Sequence, residues 1–74
     1  MALPAQTAWG DLVNKFRLLG WDGPFHVRGR DHPFMVKGKR KQKIPNSHTD
    51  PVHVSLLKKV LHQAGISEKE WTSA

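Results

Sequence analysis

Residues 25–44 read FHVRGRDHPFMVKGKRKQKI, and the predicted fold depends mainly on this stretch. Three segments have the composition of short strands bounded by turn residues, at 25–28, 32–37 and 41–44. The turns between them contain Gly29 and Gly38 and are too short for a crossover, so neighbouring strands must run antiparallel. Pro33 has no N–H to donate and is expected at the start or on the edge of its strand. The stretch predicts a three-stranded antiparallel meander.

An amphipathic helix is predicted before the meander. Apolar residues recur at helical spacing within 9–19, so they share one face. Thr7 is the expected N-cap, because its hydroxyl can accept a hydrogen bond from an early helical N–H. Gly20 is expected to end the helix in the left-handed conformation. Residues 1–6 are predicted to be a loose N-terminal lead-in, since Pro4 interrupts any earlier helix.

A second amphipathic helix is predicted at 54–64, after a loop at 46–53. Gly65 follows this helix directly and is expected to end it. Ser67 and Glu70 have the spacing of a capping box, in which each side chain bonds the backbone N–H of the other residue. A last short helix is therefore predicted to begin after Ser67.

The element order α-β-β-β-α, followed by the short C-terminal helix, predicts one small α+β domain over residues 1–74. Both long helices are expected to pack on one face of the three-stranded antiparallel sheet, which leaves the other face open. This is the arrangement of a double-stranded-RNA-binding domain. With 74 residues, the chain is too short to hold a separate cofactor domain.

The charge of the chain favours a polyanionic partner. Twelve Lys and Arg against six Asp and Glu give a net charge of +6. The clustered cations are Lys37, Lys39, Arg40, Lys41 and Lys43, with Arg28 and Arg30 just upstream. Nucleic acid, an anionic membrane and an acidic protein are the partners that such a cluster attracts. The plainer alternative is a basic hairpin that is only solvated.

Several function classes lack their sequence signatures. The chain has no Cys, which excludes disulfides, iron–sulfur clusters and thiolate nucleophiles. No apolar run approaches the roughly 20 residues of a membrane span, and no secretory signal is recognisable, so we expect a soluble cytoplasmic protein without membrane contact. The five His form no i, i+4 pair on a helix, and there is neither a P-loop nor a catalytic triad. We therefore expect no metal and no cofactor.

Histidine beside clustered cations is a sufficient set of groups for cleaving RNA without a metal. A base takes the proton from a 2′-hydroxyl, the freed oxygen attacks the neighbouring phosphorus, and cations stabilise the charge on the phosphoryl oxygens. His32 is the candidate, because it stands where a glycine-containing turn enters a strand. The alternative is an ordinary histidine at a strand start. His32 also alternates in phase with Phe34 and Val36, so it faces inward if those two form the core.

The remaining histidines and the tryptophans have simpler interpretations. His48 and His53 are expected to be solvated loop residues, and His26 is a more plausible second RNA contact. The three Trp are expected to pack in the core. Stacking of bases requires an exposed aromatic side chain, and the sequence gives no clear one.

Four segments of the chain also resemble the motifs of a known family: LGW at 19–21, GRDH at 29–32 (with Arg30 where the family has Ser), IP at 44–45 and LHQAGIS at 61–67. The family motifs at these places are Leu-Gly-aromatic, Gly-Ser-x-His, Ile/Val-Pro and Leu-x-x-Ala-Gly-Ile/Leu-Ser. Over roughly residues 12–71 the chain resembles the HicA toxins, which are small mRNA interferases of toxin–antitoxin modules.

The resemblance implies a double-stranded-RNA-binding-like fold, ribosome-independent cleavage of mRNA, and His32 as the catalytic residue. It also implies a HicB-type antitoxin that covers the active face. We expect the RNA phosphates to be bound by six cations: Arg28, Arg30, Lys37, Lys39, Arg40 and Lys41. The free protein is expected to be a monomer. Two alternatives stay open, a non-catalytic RNA-binding module of the same fold and a basic scaffold for an acidic protein.

Overall fold

A computed structural model of the chain describes residues 3–26 and 32–74. The elements within these residues are β1 (Gln6–Thr7), α1 (Trp9–Leu18), β2 (Asp22–Phe25), β3 (Phe34–Lys37), β4 (Arg40–Lys43), β5 (Val52–His53), α2 (Val54–Ala64) and α3 (Glu68–Ser73). Strands β2, β3 and β4 form an antiparallel sheet in that order, and β1 pairs with β5 in a separate two-stranded sheet. The predicted small α+β domain with a three-stranded antiparallel sheet is confirmed. The element order differs from α-β-β-β-α by the two strands β1 and β5.

The ends of the two longer helices follow the sequence signals. Gly20 and Gly65 have φ angles of 94° and 73°, in the left-handed region that favours glycine. At the end of α1 the Trp21 N–H donates to the carbonyl oxygen of Phe16 at 3.0 Å, and the same six-residue closure ends α2. Helix α2 has the predicted bounds. The capping box that begins α3 is also present.

The start of α1 differs from the prediction that Thr7 is its N-cap. Thr7 belongs to β1, where it pairs with Val52, and its side chain is buried. The N-cap position is Ala8, which has no side-chain acceptor. The first N–H of the helix, on Trp9, instead donates to Asp50 Oδ1 at 3.0 Å. A residue distant in sequence therefore caps α1, and the local pattern could not indicate it.

Residues 3–6 belong to the folded domain, which corrects the expectation of a loose lead-in over 1–6; residues 1 and 2 lie outside the described residues. Leu3 is buried in the core cluster, and Gln6 pairs with His53 in the two-stranded sheet. The Ala5 carbonyl accepts a hydrogen bond of 2.9 Å from the Val54 N–H. This part of the chain thus pairs with the end of the predicted loop at 46–53, where β5 lies.

The strand bounds of the meander are shifted from the predicted ones. The predicted strand at 25–28 begins earlier, since β2 covers Asp22–Phe25. The predicted residues 27 and 28 and the turn at 29–31 lie outside the described residues. Strand β3 begins two residues later than predicted, and β4 is Arg40–Lys43 rather than 41–44.

The hydrophobic core lies between the helices and one face of the three-stranded sheet. Phe16 of α1 is fully buried and meets Trp21 and Trp71 edge-to-face, with ring centroids 5.5 and 5.4 Å apart. The prediction that Trp21 and Trp71 pack in the core is confirmed. Trp9 is only half-buried, and its indole N–H donates to the Pro45 carbonyl oxygen at 2.7 Å.

The alternation of β3 determines which sheet face enters the core. Met35 is fully buried, and its partner across the ladder, Gln42, is buried too. Phe34 and Val36 are only half-buried, because they pair with Lys43 and Lys41 and so share the opposite face with two charged side chains. Burying two ammonium groups would cost far more free energy than burying one amide that keeps its hydrogen bonds. The condition under which His32 would face inward, a core built on Phe34 and Val36, is therefore not met.

Candidate nucleic-acid interface

The sheet face turned away from the helices carries an aromatic pair and two lysines. We call it the open face and define it by Phe25, Phe34, Val36, Lys41 and Lys43. Phe25 and Phe34 are cross-strand partners, and their ring centroids are 5.8 Å apart with a tilt of 37°. Phe25 is 46% exposed and, together with half-buried Phe34, gives this face an apolar patch.

Lysine side chains border this aromatic pair. The Lys41 Nζ lies 4.2 Å above the Phe34 ring centroid, well within the range of a cation–π contact. Lys43 is the direct cross-strand partner of Phe34 and is exposed. Flat apolar rings beside ammonium groups match the two parts of a nucleotide, its base and its phosphate.

His32 lies at the entrance to β3 and is exposed. The next residue, Pro33, is fully buried, and its carbonyl oxygen accepts a 3.0 Å hydrogen bond from the Ile44 N–H. The strand alternation thus extends back to Pro33, and it places His32 on the same side as Phe34. The one imidazole that sequence reasoning singled out therefore stands at the end of the open face.

The predicted phosphate-binding cations do not form a single cluster. Lys41 lies on the open face, whereas Lys37 and Arg40 lie on the side of the hairpin that faces the helices. The Lys37 Nζ donates to the Leu19 carbonyl oxygen at 3.0 Å, at the C-terminal end of α1. The Arg40 guanidinium lies against Gly65, at the C-terminal end of α2.

Cations at helix C-termini are favourable because the last carbonyl groups carry a partial negative charge. Lys37 and Arg40 thus have a structural role that the charge pattern alone did not reveal. Lys39 lies in the turn between β3 and β4 and is exposed. Arg28 and Arg30, the other two predicted phosphate ligands, lie outside the described residues.

The other histidines are dispersed over the molecule. His53 is the N-cap of α2, and its Nδ1 accepts a hydrogen bond from the Ser55 N–H at 3.1 Å, so it is more than a solvated loop residue. His26, His48 and His62 are exposed. Among the residues that the structure describes, no three His, Asp or Glu side chains are grouped so that they could hold a metal ion.

The aromatic pair is the feature of this surface that sequence reasoning missed. Phe25 and Phe34 look like core residues when each strand is considered alone. The signal that would have found them is the Lys-Gln-Lys pattern of 41–43, because a strand with two lysines on one side must bury the side with the single Gln. Every residue paired with those lysines then lies on the exposed face.

No helix in the described ranges is long and apolar enough to cross a membrane. In comparisons with known proteins, the chain matches no protein-family profile, no curated protein and no solved structure.

Proposed function

We propose that the chain is an endoribonuclease of the HicA type that cleaves mRNA without a metal ion and so inhibits translation, with His32 as its acid–base residue. The observation that carries the proposal is the position of His32. It is exposed two residues before β3, and the strand alternation, continued through buried Pro33, assigns it to the side of Phe34, Lys41 and Lys43. The four sequence segments that resemble HicA toxins support the same assignment.

The proposed reaction is an internal transfer of the phosphoryl group within the RNA chain. A base removes the proton of a 2′-hydroxyl while the 2′-oxygen forms a bond to the adjacent phosphorus. The bond from phosphorus to the 5′-oxygen breaks, and that oxygen leaves with a proton from an acid. His32 fills one of these two proton-transfer roles. His26, exposed at the end of β2, is the candidate for the other.

Lysine ammonium groups supply the electrostatic part of the proposed mechanism. Negative charge grows on the phosphoryl oxygens as the phosphorus gains a fifth bond, and nearby cations stabilise it. Lys41 is the predicted ligand best placed for this, since it lies on the face of His32. Lys37, Lys39 and Arg40 are proposed to extend the positive field at the hairpin end, as are Arg28 and Arg30 from outside the described residues.

The second candidate function is a non-catalytic RNA-binding module. The exposed Phe25 and its neighbouring lysines favour it, because such a surface binds a strand without requiring an imidazole. The toxin proposal adds a partner, a HicB-type antitoxin that covers the open face. A reading frame for a small acidic protein beside the gene is the simplest observation in its favour.

A cleavage assay on single-stranded RNA with excess chelator tests the proposal. We expect the parent chain to cleave, and His32→Ala to lose at least about 100-fold in rate, the usual size of an acid–base contribution. His62→Ala is the matched control, since His62 is exposed on α2, in the helical layer. Cleavage by His32→Ala at the parent rate contradicts the catalytic assignment. Binding without cleavage by the parent chain favours the module.

A further inference from the structure

The two aromatic rings of the open face, Phe25 and Phe34, differ in what covers them. The Phe34 ring already carries the Lys41 ammonium above it, whereas Phe25 is 46% exposed. From this asymmetry we propose that Phe25, backed by Phe34, is a stacking site for an unpaired base, with Lys41 on a phosphate of the same strand. The inference rests on the proposed function in taking RNA as the ligand, and it names the substrate class as single-stranded.

Distances support one strand contacting both groups. Phe25 and Phe34 ring centroids are 5.8 Å apart, and the Lys41 Nζ is 4.2 Å from the Phe34 centroid, so the ammonium is no further than about 10 Å from the Phe25 ring. A base on Phe25 and a phosphate at Lys41 can therefore belong to the same short segment of chain. Stacking on aromatic rings beside lysines is the usual way that proteins bind single strands.

Charge favours a polyanion over a protein as the occupant. Lys41 and Lys43 border the ring pair on one side, and Arg17 borders the same shallow depression as Phe25 on the other. Asp22 of β2 lines the same depression and pairs with Val36, in the cross-strand row of Lys41, so one carboxylate lies among these cations. With three cations and one carboxylate around the ring pair, this surface keeps a net positive charge, which favours a phosphate backbone as its occupant.

An unpaired strand is required because a duplex keeps its bases stacked on each other. Only a splayed base in a single strand, loop or bulge can present its flat face to an aromatic side chain. A duplex of the same length offers phosphates to Lys41 but no free base to Phe25. The site therefore predicts preference for single-stranded over double-stranded RNA.

The test measures binding of the intact chain to 2′-O-methyl oligonucleotides, which cannot be cleaved because the attacking hydroxyl is blocked. Three labelled probes are compared: a single strand, the same strand with abasic nucleotides, and the duplex. We expect Phe25→Ala to bind the intact single strand about tenfold more weakly, equal to about 1.4 kcal/mol, and to bind the abasic strand as the parent does. Phe25→Leu, which keeps an apolar side chain and lacks the aromatic face, is expected to show the same selective loss.

Leu18→Ala is the matched control, since Leu18 is a large apolar residue, 72% exposed, on α1. It should bind all three probes like the parent. Equal affinity of Phe25→Ala and the parent for the intact strand overturns the stacking site, even if native RNA is cleaved. A selective loss on the intact strand supports it, even if no cleavage occurs. No binding of any strand by the parent overturns it as well and leaves the open face as a protein-docking surface.

Discussion

Single residues determine the orientation of the sheet. Gln42 is buried, and its amide N–H groups donate to Gln63 Oε1 at 3.0 Å and to the Lys43 carbonyl oxygen at 2.9 Å. A lysine at this place would have to desolvate its charge, so the side chain that can be satisfied by two neighbours is the one turned inward. Because side chains alternate along a strand, burial of Gln42 places its neighbours Lys41 and Lys43, and with them Phe34 and Phe25, on the open face.

The buried hydroxyl of Thr7 provides a stability test at the residue scale. Its Oγ1 is shielded from solvent and has no hydrogen-bond partner within the described residues. Thr7→Val keeps the shape and removes the unpaired hydroxyl, so we expect the free energy of unfolding to rise by about 1 kcal/mol. Urea denaturation of the variant and the parent measures this change in the free energy of unfolding. Thr49→Val, at an exposed turn position, should change the free energy by less than about 0.5 kcal/mol. A decrease in the stability of Thr7→Val would contradict the prediction.

Elements with a periodic pattern or with turn residues between them were predictable, whereas the two short strands β1 and β5 were not. Helix α2 and the capping box of α3 follow from residues close in sequence, because helical hydrogen bonds join residues three to five apart. Strands β1 and β5 are two residues each and have no period to detect. They form only because the chain brings 6–7 beside 52–53, which no local pattern encodes.

The cap of α1 is tested at the element scale. Asp50→Ala removes the acceptor for the Trp9 N–H and leaves that donor without its partner. We expect a decrease of about 1 kcal/mol in the free energy of unfolding, measured in urea. Asp50→Asn keeps an oxygen acceptor and should be clearly less destabilised. If both variants are destabilised by the same amount, the carboxylate acts through its charge or through the loop rather than as a hydrogen-bond acceptor.

Across the whole molecule, the positive charge serves two purposes. Lys37 and Arg40 neutralise helix C-termini on the helical side of the hairpin, while Lys41 and Lys43 stay available on the open face. A strand bound on the open face therefore contacts only part of the twelve Lys and Arg of the chain. The number of cations that contact phosphates can be measured from the salt dependence of binding, because its slope reports how many phosphates are neutralised.

The salt dependence of RNA binding is expected to change only when a cation of the open face is removed. For a single strand, each phosphate that a protein cation neutralises contributes about 0.7 to the slope of log affinity against log salt. Lys41→Gln leaves one phosphate without its cation and is expected to reduce the slope by that contribution. Lys59→Gln, which replaces an exposed lysine on α2, should leave the slope unchanged. An unchanged slope in Lys41→Gln, or an equal reduction in both variants, would show that the open face is not where phosphates bind.

Spacing along the chain was enough to predict the amphipathic helices, their glycine ends and the antiparallel meander. Each of these depends on residues near one another in the chain, where spacing has a direct geometric meaning. The cap of α1, the two-stranded sheet, the structural use of Lys37 and Arg40, and the exposure of Phe25 became known only from the folded chain. These depend on which distant segments meet, and that is settled by burying the most apolar surface at the lowest cost in desolvated charge.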